Sequence, residues 1–350
     1  MNPGWRVTAD ADLRSRNTFG VGARAPLLVE IQDGRMLAEV LALPELRDTP
    51  PLVLGGGSNL LFAADPATPV LAFDTHGIAL VEDEGDLAVL RVDAGVPWHS
   101  LVMHSLDLGL MGLENLALIP GTTGAAPIQN IGAYGTEVGE FVRTVEAWDR
   151  SIGAIVQLDR QSCAFMYRDS VFKRSPNRYL VTAVEFALPR KRELRLDYAG
   201  IPEELAAMGV AVPTARSVAD AVIRIRRRKL PNPAVIGNAG SFFKNPIIPV
   251  ARAEALQQQH AGLPTFRGDE PGSRKISAAW MIEQCGWKGF RDGDAGVAAT
   301  HALVLVNHGA ATGQQLLTLA RNIAESVHSR FDVAIEPEPI LIGARWQPMP

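Results

Sequence analysis

A run of three glycines follows a short apolar stretch near the start of the chain, and two small polar residues, Ser58 and Asn59, come directly after it. Because glycine has no side chain, the backbone N–H groups of Gly55, Gly56 and Gly57 can approach a ligand closely. Exposed amides of this kind suit the oxygens of a phosphate group. The same run also fits an ordinary tight turn, so the segment alone leaves an anion cradle and a turn as alternatives.

A second glycine-rich segment, residues 119–135, contains four glycines and the two amide side chains Gln129 and Asn130. It lies within a longer stretch, residues 113–135, that lacks helical or strand periodicity. A loop this long inside a compact domain is usually functional or disordered, and its many apolar residues argue against disorder. The segment therefore predicts a ligand-binding loop, with a purely structural loop as the alternative.

Three further segments carry reactive or charged side chains. Arg168 follows Tyr167, and an arginine placed in this way can hold a carboxylate with two hydrogen bonds. Ser241 follows a glycine, and its hydroxyl could donate a proton. Glu336 and Glu338 share one face of an extended segment whose prolines restrict the backbone. The ordinary alternatives are a surface salt bridge, the start of a strand and solvated carboxylates on an edge strand.

Two other patterns do not support the functions that they first suggest. The basic run at residues 224–229 ends a predicted helix, where cations complement the helix dipole. A solvated helix end is therefore favoured over a nucleic-acid site, although one or two of these side chains could meet a diphosphate. Residues 20–25 match a loose dinucleotide-binding glycine pattern but precede a strand, so the Rossmann interpretation fails on context.

Composition limits the class of protein. The chain has 350 residues, 47% of them hydrophobic, which indicates two or three domains. Its net charge of −4 does not indicate a nucleic-acid or membrane-surface partner. Cys163 and Cys285 match no metal-ligand spacing, so two ordinary thiols in a reducing compartment are expected. The first residues show no signal-peptide core, and no apolar stretch is long enough to cross a bilayer. We expect a cytoplasmic protein.

The predicted elements alternate without a repeat. Hairpins are predicted at residues 78–94 and 144–158, and helices at residues 217–229, 275–285 and 314–330. The sequence 231–233, Pro-Asn-Pro, is a credible domain boundary. The fold class is therefore α+β, with several small sheets rather than one doubly wound sheet.

Taken together and in this order, the segments closely resemble the UDP-N-acetylenolpyruvoylglucosamine reductase family, in the longer form that carries a tyrosine-bearing loop. Each motif alone is ambiguous, but the ordered set spans nearly the whole chain. The matching stretches are residues 17–20, 55–62, 112–121, 127–135, 167–170, 229–231, 237–246 and 336–338.

The resemblance implies an FAD-binding module of the vanillyl-alcohol-oxidase type with two subdomains, and an α+β substrate-binding domain. The implied boundaries are 1–76 and 77–231 for the two subdomains and 232–331 for the substrate domain, with residues 332–350 returning to the FAD module. FAD is the implied cofactor and NADPH the co-substrate. The residues implied to bind FAD are Gly55, Gly56, Gly57, Ser58, Asn59, Gly121, Gly124, Ala125, Ala126, Gln129, Asn130 and Gly132.

The family reaction reduces the enolpyruvyl group of UDP-N-acetylglucosamine-enolpyruvate to give UDP-N-acetylmuramate for peptidoglycan synthesis. The resemblance implies that Arg168 stabilises an enolate, that Ser241 protonates the carbon and that Glu338 is the catalytic glutamate. The residues implied to bind the substrate are Tyr134, Tyr167, Tyr198, Lys229 and Asn245.

Some positions depart from members of the family. Ala125 and Ala126 stand where some members have serines, Met166 where some have glycine, and His301 where some have glutamine, so the role of His301 in diphosphate binding is left open. No metal site is expected, and a monomer is the expected state. The competing hypotheses are another FAD oxidoreductase of the same fold and a non-catalytic protein that binds a nucleotide sugar.

Overall fold

The structure, a computed structural model, describes residues 4–198, 200–268 and 270–347. The chain forms two compact units, and each unit is built from three separate pieces of sequence. The first unit contains Met1–Ala11, Ala25–Gly56 and Thr68–Arg227, and the second contains Asp12–Arg24, Gly57–Ala67 and Arg228–Pro350.

A four-stranded sheet opens the first unit. Its last three strands pair in parallel, and Val70 lies opposite both Leu28 and Leu52. Two short helices, Leu37–Leu41 and Pro44–Arg47, contribute Leu37, Val40 and Leu46 to the core under this sheet. The strands, in spatial order, are Trp5–Asp12, Arg24–Ile31, Val70–Phe73 and Leu52–Leu54.

A five-stranded antiparallel sheet is the larger sheet of the first unit. Val184 on its central strand lies opposite Val145 on one side and Val92 on the other, and all three are fully buried. Burying a side chain of this size contributes about 1.5–3 kcal/mol, so the ladder is a main source of stability. The strands, in spatial order, are Ala154–Asp159, Val142–Asp149, Tyr179–Pro189, Leu87–Asp93 and Ile78–Asp83.

Helix Ala215–Lys229 packs on the core of this sheet through Val218, Val222 and Ile225, which recur at helical spacing. The other helices of the first unit are shorter, and two two-residue strands form a small ladder beside them. These elements are helices Trp98–Asp107, Arg160–Cys163, Val171–Arg174 and Ile201–Ala207, and strands Gly132–Ala133 and Thr136–Glu137.

In its described residues, the second unit contains three small sheets and three α-helices. Strand Ile340–Ile342 near the end of the chain pairs in parallel with Leu60–Phe62, which follows the glycine run. One three-stranded sheet has the order Ile247–Pro249, Ser273–Ile276, Thr265–Arg267, and the other has the order Arg291–Asp292, Ala295–Val297, Leu305–Asn307. The helices are Val250–Gln259, Ala278–Gln284 and Gly313–Phe331.

Most predicted elements are confirmed, and one helix is wrong at its start. Lys275 belongs to strand Ser273–Ile276, and the helix begins only at Ala278. The reason is a cap: the hydroxyl of Ser277 accepts a hydrogen bond from the N–H of Trp280 at 3.2 Å, and this fixes the first turn. A serine inside a predicted helix was therefore its N-cap.

Candidate active site

The two glycine-rich loops of the first unit lie against each other. A Cβ atom built on Gly56 would lie 2.8 Å from the Cα of Gly121, and one on Gly55 would lie 2.8 Å from the Oγ1 of Thr122. Real Cβ atoms essentially never come this close to backbone, so Gly56 must be glycine for the two loops to meet. Gly55 and Gly56 are nevertheless exposed on their outer side, which leaves their backbone facing solvent.

In the long loop, residues 119–135, some backbone N–H groups have an acceptor within the described parts of the protein and others do not. Those of Gly124, Ala125 and Ala126 donate to the carbonyls of Ala94, Thr122 and Thr123 at 2.9–3.1 Å. Among the residues that the structure describes, no acceptor is recorded for the N–H groups of Gly55, Gly56 and Gly121. The amides that remain for an anion therefore lie where Gly55 and Gly56 meet Gly121, with the hydroxyl of Thr122 beside them.

Asn130 braces the long loop from inside. Its Nδ2 donates to Glu137 at 2.7 Å and to the carbonyl of Met166 at 3.1 Å, and its Oδ1 accepts the N–H of Gly139 at 2.9 Å. The residue is buried and has a φ of 46°. These bonds give the side chain a structural role, while contact of Asn130 with FAD stays a prediction.

Arg168 lies in a tight turn in which Met166 and Asp169 exchange two backbone hydrogen bonds. Its φ of 53° is rare for a residue with a side chain, so the turn holds local strain. The guanidinium donates to the carbonyl of Gly132 at 2.8 Å and lies 5.2 Å from the ring centre of Tyr167. The structure thus brings Arg168, Tyr167 and the Gly132 end of the long loop together.

Tyr134 and Tyr198 are also brought together. Their ring centres are 5.1 Å apart in an edge-to-face arrangement, and Tyr198 is half exposed. The buried side chain of Asn115 donates to the carbonyls of Tyr134 and Arg195 at 3.0 and 3.1 Å, which joins the two tyrosine-bearing segments. Two predicted substrate-binding tyrosines therefore share one surface of the first unit.

The segment that precedes Gly121 is fixed at Leu118, whose φ is 59°. Its N–H donates to the Nδ1 of His99 at 3.1 Å, and its carbonyl accepts from the Nε of Arg226 at 3.2 Å. Burial lowers the pKa of His99, and the charges of Arg227 and Arg226 lower it further. The neutral ring that accepts this hydrogen bond is therefore favoured, and one arginine of the basic run supports the loop.

In the second unit, Gly57 is packed against residues 16 and 17. A Cβ atom there would lie 2.0 Å from the carbonyl oxygen of Arg16, and the φ of Gly57 is +60°. Its carbonyl accepts the N–H of Thr18 at 3.0 Å. Asn59 follows, and its carbonyl accepts the N–H of Ile340 at 3.0 Å. The end of the glycine run is thus held by the 16–18 segment and by the returning C-terminal strand.

Ser241 and Glu338 lie on paired segments of this unit. Phe242, the residue after Ser241, accepts the N–H of Glu338 at 2.8 Å, and Phe243 forms an antiparallel bridge with Pro337. The Nδ2 of Asn59 reaches the carbonyl of Glu338 at 3.4 Å. Ser241 is half-buried, and no partner of its hydroxyl is recorded within the described ranges, so this hydroxyl is open to a ligand.

The two predicted substrate ligands of the second unit, Lys229 and Asn245, are both accessible to solvent. Lys229 is exposed, and its carbonyl accepts the hydroxyl of Thr300 at 2.8 Å. Burial lowers the pKa of His301, and the charges of Lys229 and Lys288 lower it further. The Oδ1 of Asn245 accepts the N–H of Ala278 at 3.0 Å, which leaves its Nδ2 to donate elsewhere. Lowering of its pKa favours the neutral ring of His301, and Lys288 is paired with Glu283 at 2.9 Å, so the exposed Lys229 is the cation here that is best placed to meet an anion.

Two residues near the candidate site were not found from the sequence alone. Thr122 lies beside Gly55, and Asn115 bonds to two distant carbonyls, and no local pattern reveals either position. The signal that could have found Asn115 is its place within an apolar run, because a buried amide there requires partners from elsewhere in the chain.

Two kinds of site are absent from the described parts of the chain. In residues 4–198, 200–268 and 270–347, no group of three or more His, Cys, Asp or Glu side chains is placed to hold a metal ion. None of the helices there is long and apolar enough to cross a membrane.

Two family models match the chain on either side of residues 160–231. Residues 25–159 match the FAD binding domain, and residues 232–342 match the C-terminal domain of UDP-N-acetylenolpyruvoylglucosamine reductase. These matches and the mixed small sheets confirm the predicted fold class, an α+β protein with an FAD-binding module of the vanillyl-alcohol-oxidase type and a separate α+β domain.

Relatives of the whole chain agree with these matches. The UDP-N-acetylenolpyruvoylglucosamine reductase of Xanthomonas axonopodis pv. citri is 58% identical over 346 residues, 99% of each chain. The reductase of Xanthomonas euvesicatoria pv. vesicatoria is 57% identical over 99% of each chain. The solved UDP-N-acetylenolpyruvylglucosamine reductase of Thermus caldophilus is 25% identical, covers 96% of this chain and 98% of its own, and has a TM-score of 0.67. The chain belongs to the UDP-N-acetylenolpyruvoylglucosamine reductase family.

Proposed function

We propose that the protein is an FAD-dependent oxidoreductase that uses NADPH to reduce the enolpyruvyl group of UDP-N-acetylglucosamine-enolpyruvate. The product is UDP-N-acetylmuramate, a precursor of peptidoglycan. Membership of the reductase family over nearly the full chain supports this assignment. The pairing of the Ser241 segment with the Glu338 segment supports it most directly, because the reaction needs a proton donor and a carboxylate in one place.

The first unit fits FAD. A flavin dinucleotide carries a pyrophosphate, and the exposed amides at Gly55, Gly56 and Gly121 are donors that suit its oxygens. Thr122 adds a hydroxyl beside them. We propose that these groups, with Gly57, Ser58 and Asn59, hold the cofactor. Gly124, Ala125 and Ala126 would then shape the loop more than donate to the ligand.

When bound, FAD would supply hydride-transfer chemistry between NADPH and the terminal carbon of the enolpyruvyl double bond. Negative charge then develops on the neighbouring carbon and spreads into the carboxylate, where a preorganised cation is most effective. We assign this role to Arg168, because its guanidinium is fixed by the carbonyl of Gly132 and the ring of Tyr167. A planar guanidinium can hold both carboxylate oxygens at once.

Ser241 is proposed to protonate the carbon next to the carboxylate. A serine hydroxyl is a weak acid, so this role is reasonable only because the carbanion-like centre is a strong base. Glu338 is proposed as the catalytic carboxylate that acts with Ser241. Its backbone N–H is bonded to the residue after Ser241, so the two segments cannot move independently.

The remaining groups are proposed to bind the UDP-sugar. Tyr134, Tyr167 and Tyr198 would contact the substrate from the first unit, where the rings of Tyr134 and Tyr198 touch. Lys229 would meet the diphosphate, since its side chain is exposed. Asn245 has an Nδ2 left to donate.

Turnover provides the test of this function. NADPH oxidation, followed at 340 nm by the purified holoenzyme, should be fast with the enolpyruvyl UDP-sugar and slow without it, and one UDP-N-acetylmuramate should form per NADPH. Oxidation of NADPH at the same rate with and without the sugar would contradict the assignment. A protein purified without flavin absorbance, and unable to take up FAD, would do so as well.

Gly56→Ala should weaken FAD binding strongly. The new methyl group would lie 2.8 Å from the Cα of Gly121, so the two loops must separate and the free amides lose their arrangement. We expect the affinity for FAD to fall by about 100-fold or more, since misplacement by about 1 Å can have an effect of that size. Quenching of flavin fluorescence on titration with the apoprotein measures the affinity.

Gly153→Ala is the matched control for this change. Gly153 lies in the turn between two strands of the five-stranded sheet, and a Cβ there meets nothing within 4 Å. Its φ of +64° makes alanine costly for stability but gives no reason for weaker FAD binding. Equal loss of FAD affinity in both variants would show that general destabilisation, and not the contact with Gly121, is responsible.

We also propose that the protein acts in the cytoplasm as a monomer.

We propose the boundaries 1–76 and 77–231 for the two FAD-binding subdomains and 232–331 for the substrate domain, with residues 332–350 returning to the FAD module. In favour of the return is the parallel pairing of Ile340–Ile342 with Leu60–Phe62.

A further inference from the structure

Asn238 is a buried amide between two groups with proposed roles in the second unit. It lies nine residues after Lys229 and three before Ser241 in the sequence. Only 4% of it is exposed, and all of its side-chain hydrogen bonds are to the backbone. Burial of a primary amide is costly unless its groups are paired, so the three bonds it forms require explanation.

The two sides of the amide hold different segments. Its Nδ2 donates to the carbonyl of Pro231 at 3.0 Å and to that of Ile236 at 2.9 Å, which fixes the segment that follows Lys229. Its Oδ1 accepts the N–H of Gly240 at 3.1 Å. Gly240 has a φ of +69° and immediately precedes Ser241, so this bond sets the backbone from which the serine side chain emerges.

The backbone of Asn238 is anchored as well. Its N–H donates to the carbonyl of Thr18 at 2.9 Å, and the N–H of Thr18 donates to the carbonyl of Gly57 at 3.0 Å. A Cβ on the neighbouring Gly237 would lie 2.1 Å from the carbonyl oxygen of Phe19, so the two segments are in close contact. The segment that holds Gly57 therefore also supports the backbone of Asn238.

We propose that Asn238 is a positioning residue that holds Ser241 and Lys229 in register with each other. Its carbonyl oxygen fixes the turn before the proton donor, and its NH₂ group fixes the segment after the proposed diphosphate ligand. In the substrate, the carbon to be protonated and the diphosphate are separated by a distance that the substrate itself sets. The protein must therefore hold Ser241 and Lys229 at a matching spacing. This inference rests on the function proposed above.

Asn238→Ala tests the proposal through two separate measurements. Oxidation of the reduced flavin by the enolpyruvyl substrate, followed by stopped flow, should slow by about 10- to 100-fold, because Ser241 is displaced. Reduction of the flavin by NADPH should change little. The affinity for UDP, measured by calorimetry, should fall by about 2- to 10-fold, as expected for the loss of a hydrogen bond that positions a ligand.

Asn238→Asp separates the two sides of the amide. A carboxylate still accepts the N–H of Gly240 but cannot donate to Pro231 and Ile236. We expect the oxidation step to return towards the wild-type rate while UDP binding stays weak. A purely structural role predicts no such separation, because both variants would lose both properties in proportion to their loss of stability.

The double variant Asn238→Ala, Ser241→Ala gives the third measurement. If Asn238 acts on the oxidation step through Ser241, its removal should slow that step little further once the serine is alanine. Asn232→Ala is the control: this exposed asparagine also accepts a backbone hydrogen bond, from Ala234 at 3.1 Å, but does not contact the Gly240 turn. It should behave as the wild type in every assay.

Three results would overturn the inference. One is a wild-type oxidation rate and UDP affinity in Asn238→Ala. Another is additive effects of the two substitutions in the double variant. The third is failure of both Asn238 variants to fold, with Asn232→Ala normal, because a positioning role must be separable from folding. If instead the wild type does not reduce the enolpyruvyl substrate, the proposed function fails and not this inference alone.

Discussion

Ser241→Ala should leave the reduction of bound flavin by NADPH nearly intact and slow the oxidation of reduced flavin by the enolpyruvyl substrate by about 10²- to 10⁴-fold, the usual contribution of a positioned general acid. The two half-reactions are distinguished by whether a proton must reach the substrate carbon. NADPH oxidation requires no such proton. Stopped-flow absorbance near 450 nm, recorded for each half-reaction separately, measures both rates.

The expected asymmetry depends on the surroundings of the serine. Ser241 is half-buried. The N–H of the next residue, Phe242, donates to the carbonyl of Leu303 at 2.7 Å, so alanine at position 241 removes the hydroxyl oxygen and leaves the backbone in place. Ser273→Ala is a suitable control, because that residue is also half-buried and its hydroxyl bonds with the backbone of Glu270, donating to the carbonyl at 2.8 Å and accepting the N–H at 3.3 Å. An equal loss in both half-reactions of Ser241→Ala would exclude a proton-donor role.

The sequence predicted the parts of the fold that local patterns determine. The helix at residues 217–229 is observed as Ala215–Lys229, because its apolar spacing and the Leu230-Pro231 stop are both local signals. The hairpin at residues 78–94 is observed as Ile78–Asp83 and Leu87–Asp93 for the same reason. Glycine runs likewise indicated where the backbone must approach another group.

What the sequence could not predict depends on contacts between distant segments. Asn130 was expected to offer its amide to a ligand, but its side-chain bonds reach Glu137, Gly139 and Met166, up to 36 residues away. The φ values of Leu118 and Arg168, 59° and 53°, are in a region that side chains disfavour, and no propensity would place them there. Such strain is stable only because other segments hold it in place.

The same limit applies to the glycines. The sequence alone left an anion cradle and a tight turn as alternatives for Gly55, Gly56 and Gly57, and the family resemblance implied that all three bind FAD. In the structure, Gly56 is constrained by Gly121 and Gly57 by Arg16, so these glycines first allow protein segments to meet. The exposed amides at Gly55 and Gly56 are a consequence of that packing. Binding of the anion and packing of the loops therefore depend on the same residues.

Arg168→Lys should slow oxidation of the reduced flavin by the substrate by about 10²- to 10³-fold, the usual effect of removing one donor from a developing anion. Lysine keeps the positive charge but lacks the planar fork that can bond two carboxylate oxygens. It also loses the bond to the carbonyl of Gly132, which fixes the guanidinium beside the long loop. Stopped-flow measurement of this half-reaction, with NADPH reduction as the internal comparison, gives the effect.

Arg143→Lys is the matched control, because Arg143 forms an ion pair with Glu82 on the exposed edge of the five-stranded sheet and has no proposed role in the reaction. It should keep the wild-type rates. If Arg168→Lys oxidised its reduced flavin at the wild-type rate, charge alone would suffice, and the geometry of the strained turn would have no catalytic purpose. A much slower oxidation of reduced flavin in Arg168→Lys, with an unchanged affinity for UDP, would instead place the effect at the enolpyruvyl carboxylate. The strained backbone at Arg168 would then serve to direct the guanidinium towards the charge that forms during the reaction.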